Sequence, residues 1–224
     1  MLLGRLTVGT IGIMGGVPVV PTTFARSFSD LLEFNRTQLL QPNEETKVVW
    51  ATVSTHAIAR NSLVHEREGE WLFLLDTDMS FPPDALARLL RTMRGTNAEV
   101  VCGLYHFGSP PYLPVLYAYL EGRGYQNLVK WDEERPFLVG ATGGGCLLVK
   151  SSVFEHVGED PFTIVPPFGT DDFPFFEKCR EQGIEVVCDP RVKCGHLRMV
   201  AMGEEQYRAA VGDVPTLYVD VLEA

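Results

Sequence analysis

Trp71-Leu72-Phe73-Leu74-Leu75 is an unbroken apolar run that stops abruptly at Asp76. A strand apolar at every position is one with both faces covered, as in the centre of a layered α/β fold. The rest of the chain fits that reading, because short apolar runs alternate with helix-like patterns, which suggests a mostly parallel sheet. Strands are expected over residues 6–13, 47–53, 71–75, 99–105, 137–141, 146–149, 184–188 and 192–196. Helices are expected over 24–40, 58–67 and 170–182, with Gly183 as the stop of the last. A further helix follows Ser80, which can cap it. Its first turn holds Pro82, Pro83 and Asp84, and its apolar face holds Leu86, Leu89, Leu90 and Met93. Ser152 and Glu155 have the spacing of a capping box. Residues 110–136 break the regular pattern, with a hairpin expected at Glu121-Gly122-Arg123-Gly124.

Composition sets bounds on partners. The chain has 224 residues, 46% apolar and 21% charged, the usage of an ordinary globular protein. Its net charge of −10 opposes non-specific binding to nucleic acid or anionic lipid. Five cysteines, odd in number and set in apolar runs, read as reduced thiols rather than as a disulfide framework. The uncharged stretch 6–21 could pass for a signal peptide, but Gly9, Gly12, Gly15, Gly16 and Pro18 would spoil its helix. A first strand and a glycine loop are expected there, in a cytoplasmic protein without a membrane anchor. Asn35-Arg36-Thr37 matches a glycosylation sequon and reads as coincidence.

Three groups of residues carry chemistry. Asp76-Thr77-Asp78 stands at the end of the apolar strand, where ligands gather in open α/β sheets, and its oxygen ligands suit Mg²⁺ or Mn²⁺. The alternative is a surface turn with two solvated acids. Asp171 and Asp172 stand at the start of an expected helix, where acids commonly cap; a carboxylate held there could also take a proton. His196 ends the last expected strand and could complete a metal site begun by the two strand-end acids, a mixed set that favours Mn²⁺. Cys179, Cys188 and Cys194 lack the paired spacing of a zinc site.

With Ala59-Arg60-Asn61 upstream, Met79-Ser80-Phe81-Pro82 after the two acids, Gly143-Gly144-Gly145-Cys146, and Asp189-Pro190 leading to Gly195-His196, the chain resembles the GT-A-fold nucleotide-diphospho-sugar transferases. In particular it resembles the inverting family 2 glycosyltransferases, in their compact phage and prokaryotic form. The resemblance implies a single Rossmann-like GT-A domain over 1–224, with a nucleotide-binding half (1–105) and an acceptor and catalytic half (106–224). It implies Mn²⁺ or Mg²⁺ as cofactor and a nucleoside-diphosphate sugar as donor, with UDP the commoner nucleotide. Asp78 then becomes the metal ligand, assisted by Asp76, which can instead contact the ribose, and by His196. Asp172 takes the place of the general base; Asp171 beside it stands where the family usually has Glu. Arg60 and Asn61 fall near the nucleotide, as does Thr10, and Arg60 could pair with base or diphosphate oxygens. Gly144 and Gly145 would let the backbone approach the donor sugar. Pro174 departs from the pattern, because the family often has another acid two residues after the base.

The acceptor would be a hydroxyl on a glycan or small molecule, or on a modified nucleobase. Tyr105, Phe107, Tyr112, Tyr117, Tyr119, Tyr125 and Trp131 could stack on such a ring or could be core. A haloacid-dehalogenase-type phosphatase also places D-x-D after an apolar strand, with Lys150 and Asp171-Asp172 in its later roles, but its acid pair should follow a strand. A nucleotidyltransferase would carry a basic glycine-rich loop near its start, and a silent binding protein would lack one of Asp78, Asp172 and His196.

Overall fold

The computed structural model describes residues 6–11, 20–41, 44–51, 55–164, 166 and 170–198. The glycine loop after the first strand, the ends of the first two expected strands and residues 199–224 lie outside them. In chain order the elements are β1 (Leu6–Ile11), α1 (Thr22–Phe34, extended by a π turn over Asn35–Leu39), β2 (Thr46–Ala51), α2 (His56–Glu66), β3 (Trp71–Asp76), β4 (Met79–Ser80), α3 (Ala85–Thr96) and β5 (Val100–Leu104). There follow β6 (Leu116–Leu120), β7 (Gly124–Asn127), β8 (Phe137–Val139), β9 (Ala141–Thr142), β10 (Cys146–Lys150), α4 (Val153–Val157), α5 (Asp172–Glu181), β11 (Val186–Lys193) and β12 (Gly195–His196).

The central sheet has seven strands in the order β2-β1-β3-β10-β5-β11-β8. Strands β2, β1, β3, β5 and β11 run one way, which makes the sheet mostly parallel; β10 and β8 run against them. The all-apolar β3 sits inside, between β1 and β10, and its alternation feeds two cores. Phe73 and Leu75 pack with Phe24 and Leu31 of α1 and Leu86 and Leu89 of α3. Leu72 and Leu74 face the other way, toward Leu63 of α2, Phe154 of α4 and Phe175 of α5. The five cysteines are free and buried. Asn35 is fully buried, which closes the sequon to modification. No helix among the described residues is long and apolar enough to cross a membrane.

The expected hairpin forms between β6 and β7, with Gly122 and Gly124 at φ of 74° and 66°, and pairs with β9 in a separate three-stranded sheet. Other expectations need correction. Ser80 does not cap α3; it lies in β4, paired with Gly195 of β12, and α3 starts at Ala85 with Asp84 at its N-cap. The residue before a proline is pushed out of the helical region, so Pro82 and Pro83 delay the helix. Ser152 has helical angles (φ −61°, ψ −23°) and makes no cap; its hydroxyl bonds Glu99 instead. The last two expected strands are divided differently: Val186–Lys193 run as one strand, β11, through Asp189-Pro190 with a bulge against β5, and Gly195–His196 form the separate β12 beside β4.

Candidate active site

The insertion of β10 beside β3 builds the site. Cys146 pairs with Leu75, so the preceding glycines lie against the end of β3, where the Asp76 N–H donates to the Gly145 carbonyl at 3.3 Å. Arg60 of α2 enters from the other side. It lies on the stripe of Ala57, Leu63 and Val64 that faces the core, and it is buried. The helical spacing of that stripe is the sequence signal that could have shown Arg60 facing inward.

One guanidinium meets three carboxylates. Arg60 Nη2 donates to Asp76 Oδ2 at 3.1 Å, Nη1 donates to Asp171 Oδ2 at 2.6 Å, and Nη1 lies 2.6 Å from Asp172 Oδ1. Burial opposes the Arg60 charge, but the carboxylates outweigh it and raise its pKa. Asp172 is the least satisfied of the three, for its Oδ1 has no hydrogen bond of its own. Burial pushes the Asp172 carboxyl up to about 7; Arg60 and the Gly144 N–H work against the rise, and the charges of Asp171 and Asp76 work with it. Neither Asp171 nor Asp172 is simply a cap: Asp171 occupies the N-cap position of α5 without a side-chain capping bond.

Asp78 belongs to a second group. Its Oδ2 lies 3.1 Å from His196 Nε2, and His196 Nδ1 lies 2.8 Å from the His106 carbonyl oxygen. A carbonyl only accepts, so Nδ1 carries a proton and the neutral ring turns a lone pair at Nε2 toward Asp78. Two acceptors at that distance need positive charge between them, a second proton or a cation. The Asp78 hydrogen bond raises the His196 pKa. Burial would raise the Asp78 carboxyl, but His196 and the nearby Arg198 charge hold it below its ordinary value. One carboxylate oxygen and one imidazole nitrogen, oriented by a backbone carbonyl, fit a divalent cation such as Mn²⁺. Asp76 does not join them, since both its oxygens face Arg60. Among the described residues no three His, Cys, Asp or Glu side chains gather as a metal-holding group.

Both groups line one cleft of about 920 Å³. Tyr105 forms part of its floor, with its hydroxyl accepting from the Gly145 N–H at 3.3 Å, and burial raises its pKa. Gly144 must be glycine, because a Cβ there would lie 2.5 Å from Arg60 Nε. Asn61 stands outside the cleft: its amide donates to the Phe162 carbonyl (2.9 Å) and accepts from the Phe162 N–H (3.1 Å). The Phe162 ring in turn lies 5.9 Å from the Arg60 guanidinium. Thr10 is in β1 opposite Leu75, and its side chain lies outside the described residues. Of the aromatic candidates, Tyr117 and Tyr125 pack on Phe173, Trp131 on Phe137, and Tyr119 under Arg180. Phe107 opens into the cleft.

The fold is shared with proteins of very different sequence. A197 from STIV superposes with a TM-score of 0.56 at 16% identity, over 88% of this chain and 96% of that one. GalNAc-T7, crystallised with UDP, GalNAc and Mn²⁺, superposes with a TM-score of 0.61 at 14% identity over 97% of this chain, which spans 46% of that structure. No curated protein matches by sequence. The model of glycosyl transferase family 2 matches residues 36–157, more than half of the chain, including Arg60, Asp76, Asp78 and the glycines. With that match and α5, not a strand, carrying the acid pair, the phosphatase reading falls away, and the chain belongs to glycosyl transferase family 2.

Proposed function

We propose that the protein is an inverting, metal-assisted glycosyltransferase that moves a sugar from a nucleoside-diphosphate sugar to an acceptor hydroxyl. The observation that carries this reading is Asp172, a half-buried carboxylate whose inward Oδ1 has no hydrogen bond, in the same cleft as the Asp78–His196 pair. In the proposed reaction the acceptor oxygen bonds to the anomeric carbon and its proton passes to Asp172. The bond from that carbon to the diphosphate oxygen breaks, and its electron pair leaves with the nucleoside diphosphate. Asp78 and His196 would hold Mn²⁺ or Mg²⁺, which as a Lewis acid neutralises charge on the diphosphate. Arg60 pairs with Asp171 and Asp76 and holds Asp172 in place, and the Gly144 N–H hydrogen-bonds the Asp172 carboxylate. UDP is the favoured nucleotide, in keeping with the fold shared with GalNAc-T7, which was crystallised with UDP and Mn²⁺. The acceptor is a glycan or small molecule, with a modified nucleobase as the alternative, and Phe107 offers it a ring face.

Asp172→Asn tests the assignment. It should fold and bind the nucleotide, yet transfer about two to four powers of ten more slowly, the usual cost of losing a general base. Transfer at the wild-type rate would remove Asp172 from that role.

A further inference from the structure

The cleft is lined by two arginines, and their surroundings are opposite. Arg60 is buried, with its Nη groups occupied by Asp76, Asp171 and Asp172. Arg198, two residues beyond His196, is exposed, and among the described residues no ion pair ties it to a carboxylate. Its stem lies on the bare backbone of Gly108, where a Cβ would collide with Cγ, Cδ and Nε of Arg198. That support leaves the guanidinium close enough to Asp78 and His196 for both to feel its charge.

A guanidinium presents planar, paired N–H donors that match two phosphate oxygens. In a chain of net charge −10, one with no ion pair among the described residues, in a cleft lined by Asp76, Asp78, Asp171 and Asp172, has donors to offer a ligand anion. We infer that Arg198 binds the diphosphate of the nucleotide, the role that the sequence suggested for Arg60. The inference rests on the transferase reading above. Arg198 would grip phosphate oxygens from the rim of the cleft, beside Asp78 and His196. The nucleoside would lie beyond its reach.

Calorimetric titration separates the two claims. Wild-type protein is titrated with UDP, GDP, CDP and dTDP, each with Mn²⁺. The tightest of these, its nucleoside and inorganic pyrophosphate are then titrated into Arg198→Gln and Arg198→Lys. Arg198→Gln should weaken the nucleoside diphosphate and pyrophosphate about 10- to 100-fold, as expected for a charge-assisted hydrogen-bond pair, and leave the nucleoside unchanged. Arg198→Lys should recover part of the loss, since it keeps the charge without the fork. Unchanged diphosphate affinity in Arg198→Gln overturns the assignment, and so does an equal loss for the nucleoside. If the wild type binds none of the four nucleotides, the transferase reading itself fails and this assignment falls with it.

Discussion

The Arg60 group and the Asp78–His196 pair share one cleft and solve opposite problems. The first is a buried guanidinium among three carboxylates, an excess of negative charge held in place by neighbours from β3, α2 and α5. The second is a carboxylate 44% exposed and an imidazole 14% exposed, joined across 3.1 Å at the rim. Buried charge sets must be satisfied internally, because removing one member leaves the others uncompensated. Partly exposed pairs add little to stability and are free to exchange partners. The cleft thus separates a group that keeps its geometry without ligand from one whose chemistry depends on what binds.

The largest effect should come from the buried group. Arg60→Met leaves three carboxylates without their cation and should cost about 3–5 kcal/mol of unfolding free energy at pH 8. Urea denaturation measures this, and a loss similar to that of a surface substitution would break the distinction. The rim should behave in reverse. His196→Gln should leave the urea midpoint nearly unchanged while weakening Mn²⁺-dependent nucleotide binding by about tenfold or more, by analogy with the loss of groups around metal sites. The smallest effect is one of pH. The folded pKa of Asp172, about 7, lies above the ordinary carboxyl value, so folding favours its neutral form. The stability that Asp172 contributes should be lost as the pH rises from about 4 through 7, and Asp172→Asn should escape that loss. The variant should match wild type near pH 4 and exceed it by on the order of 1 kcal/mol at pH 8. Thermal unfolding at the two pH values checks the sign.

The sequence made the strand ends legible and left their partners hidden. The all-apolar β3 revealed a buried strand running into acids, and the periodicity of Leu86, Leu89, Leu90 and Met93 revealed the core face of α3. These signals are local, since pleat and helix repeat within a few residues. Arg60 meets Asp171 across 111 positions, and His196 meets Asp78 across 118. No local pattern encodes such a meeting. Asn61 shows the same limit, because both its amide atoms serve the Phe162 backbone 101 residues on, a partner that its place beside Arg60 does not reveal. The placement of Arg198 was also hidden, since it depends on the bare backbone of Gly108 far upstream.

The antiparallel β10 also governs how the chain is made. During synthesis β3 and β5 emerge with α3 between them, but they cannot pair, because the place between them belongs to residues 146–150. Until those residues leave the ribosome, two of the most apolar strands each present an open edge. Those edges are the ones expected to be open to aggregation and to chaperones while the chain is incomplete. β10 closes both edges and sets the glycines against Asp76, and the acids of α5 and His196 of β12 are made later still, so the cleft needs nearly the whole described chain.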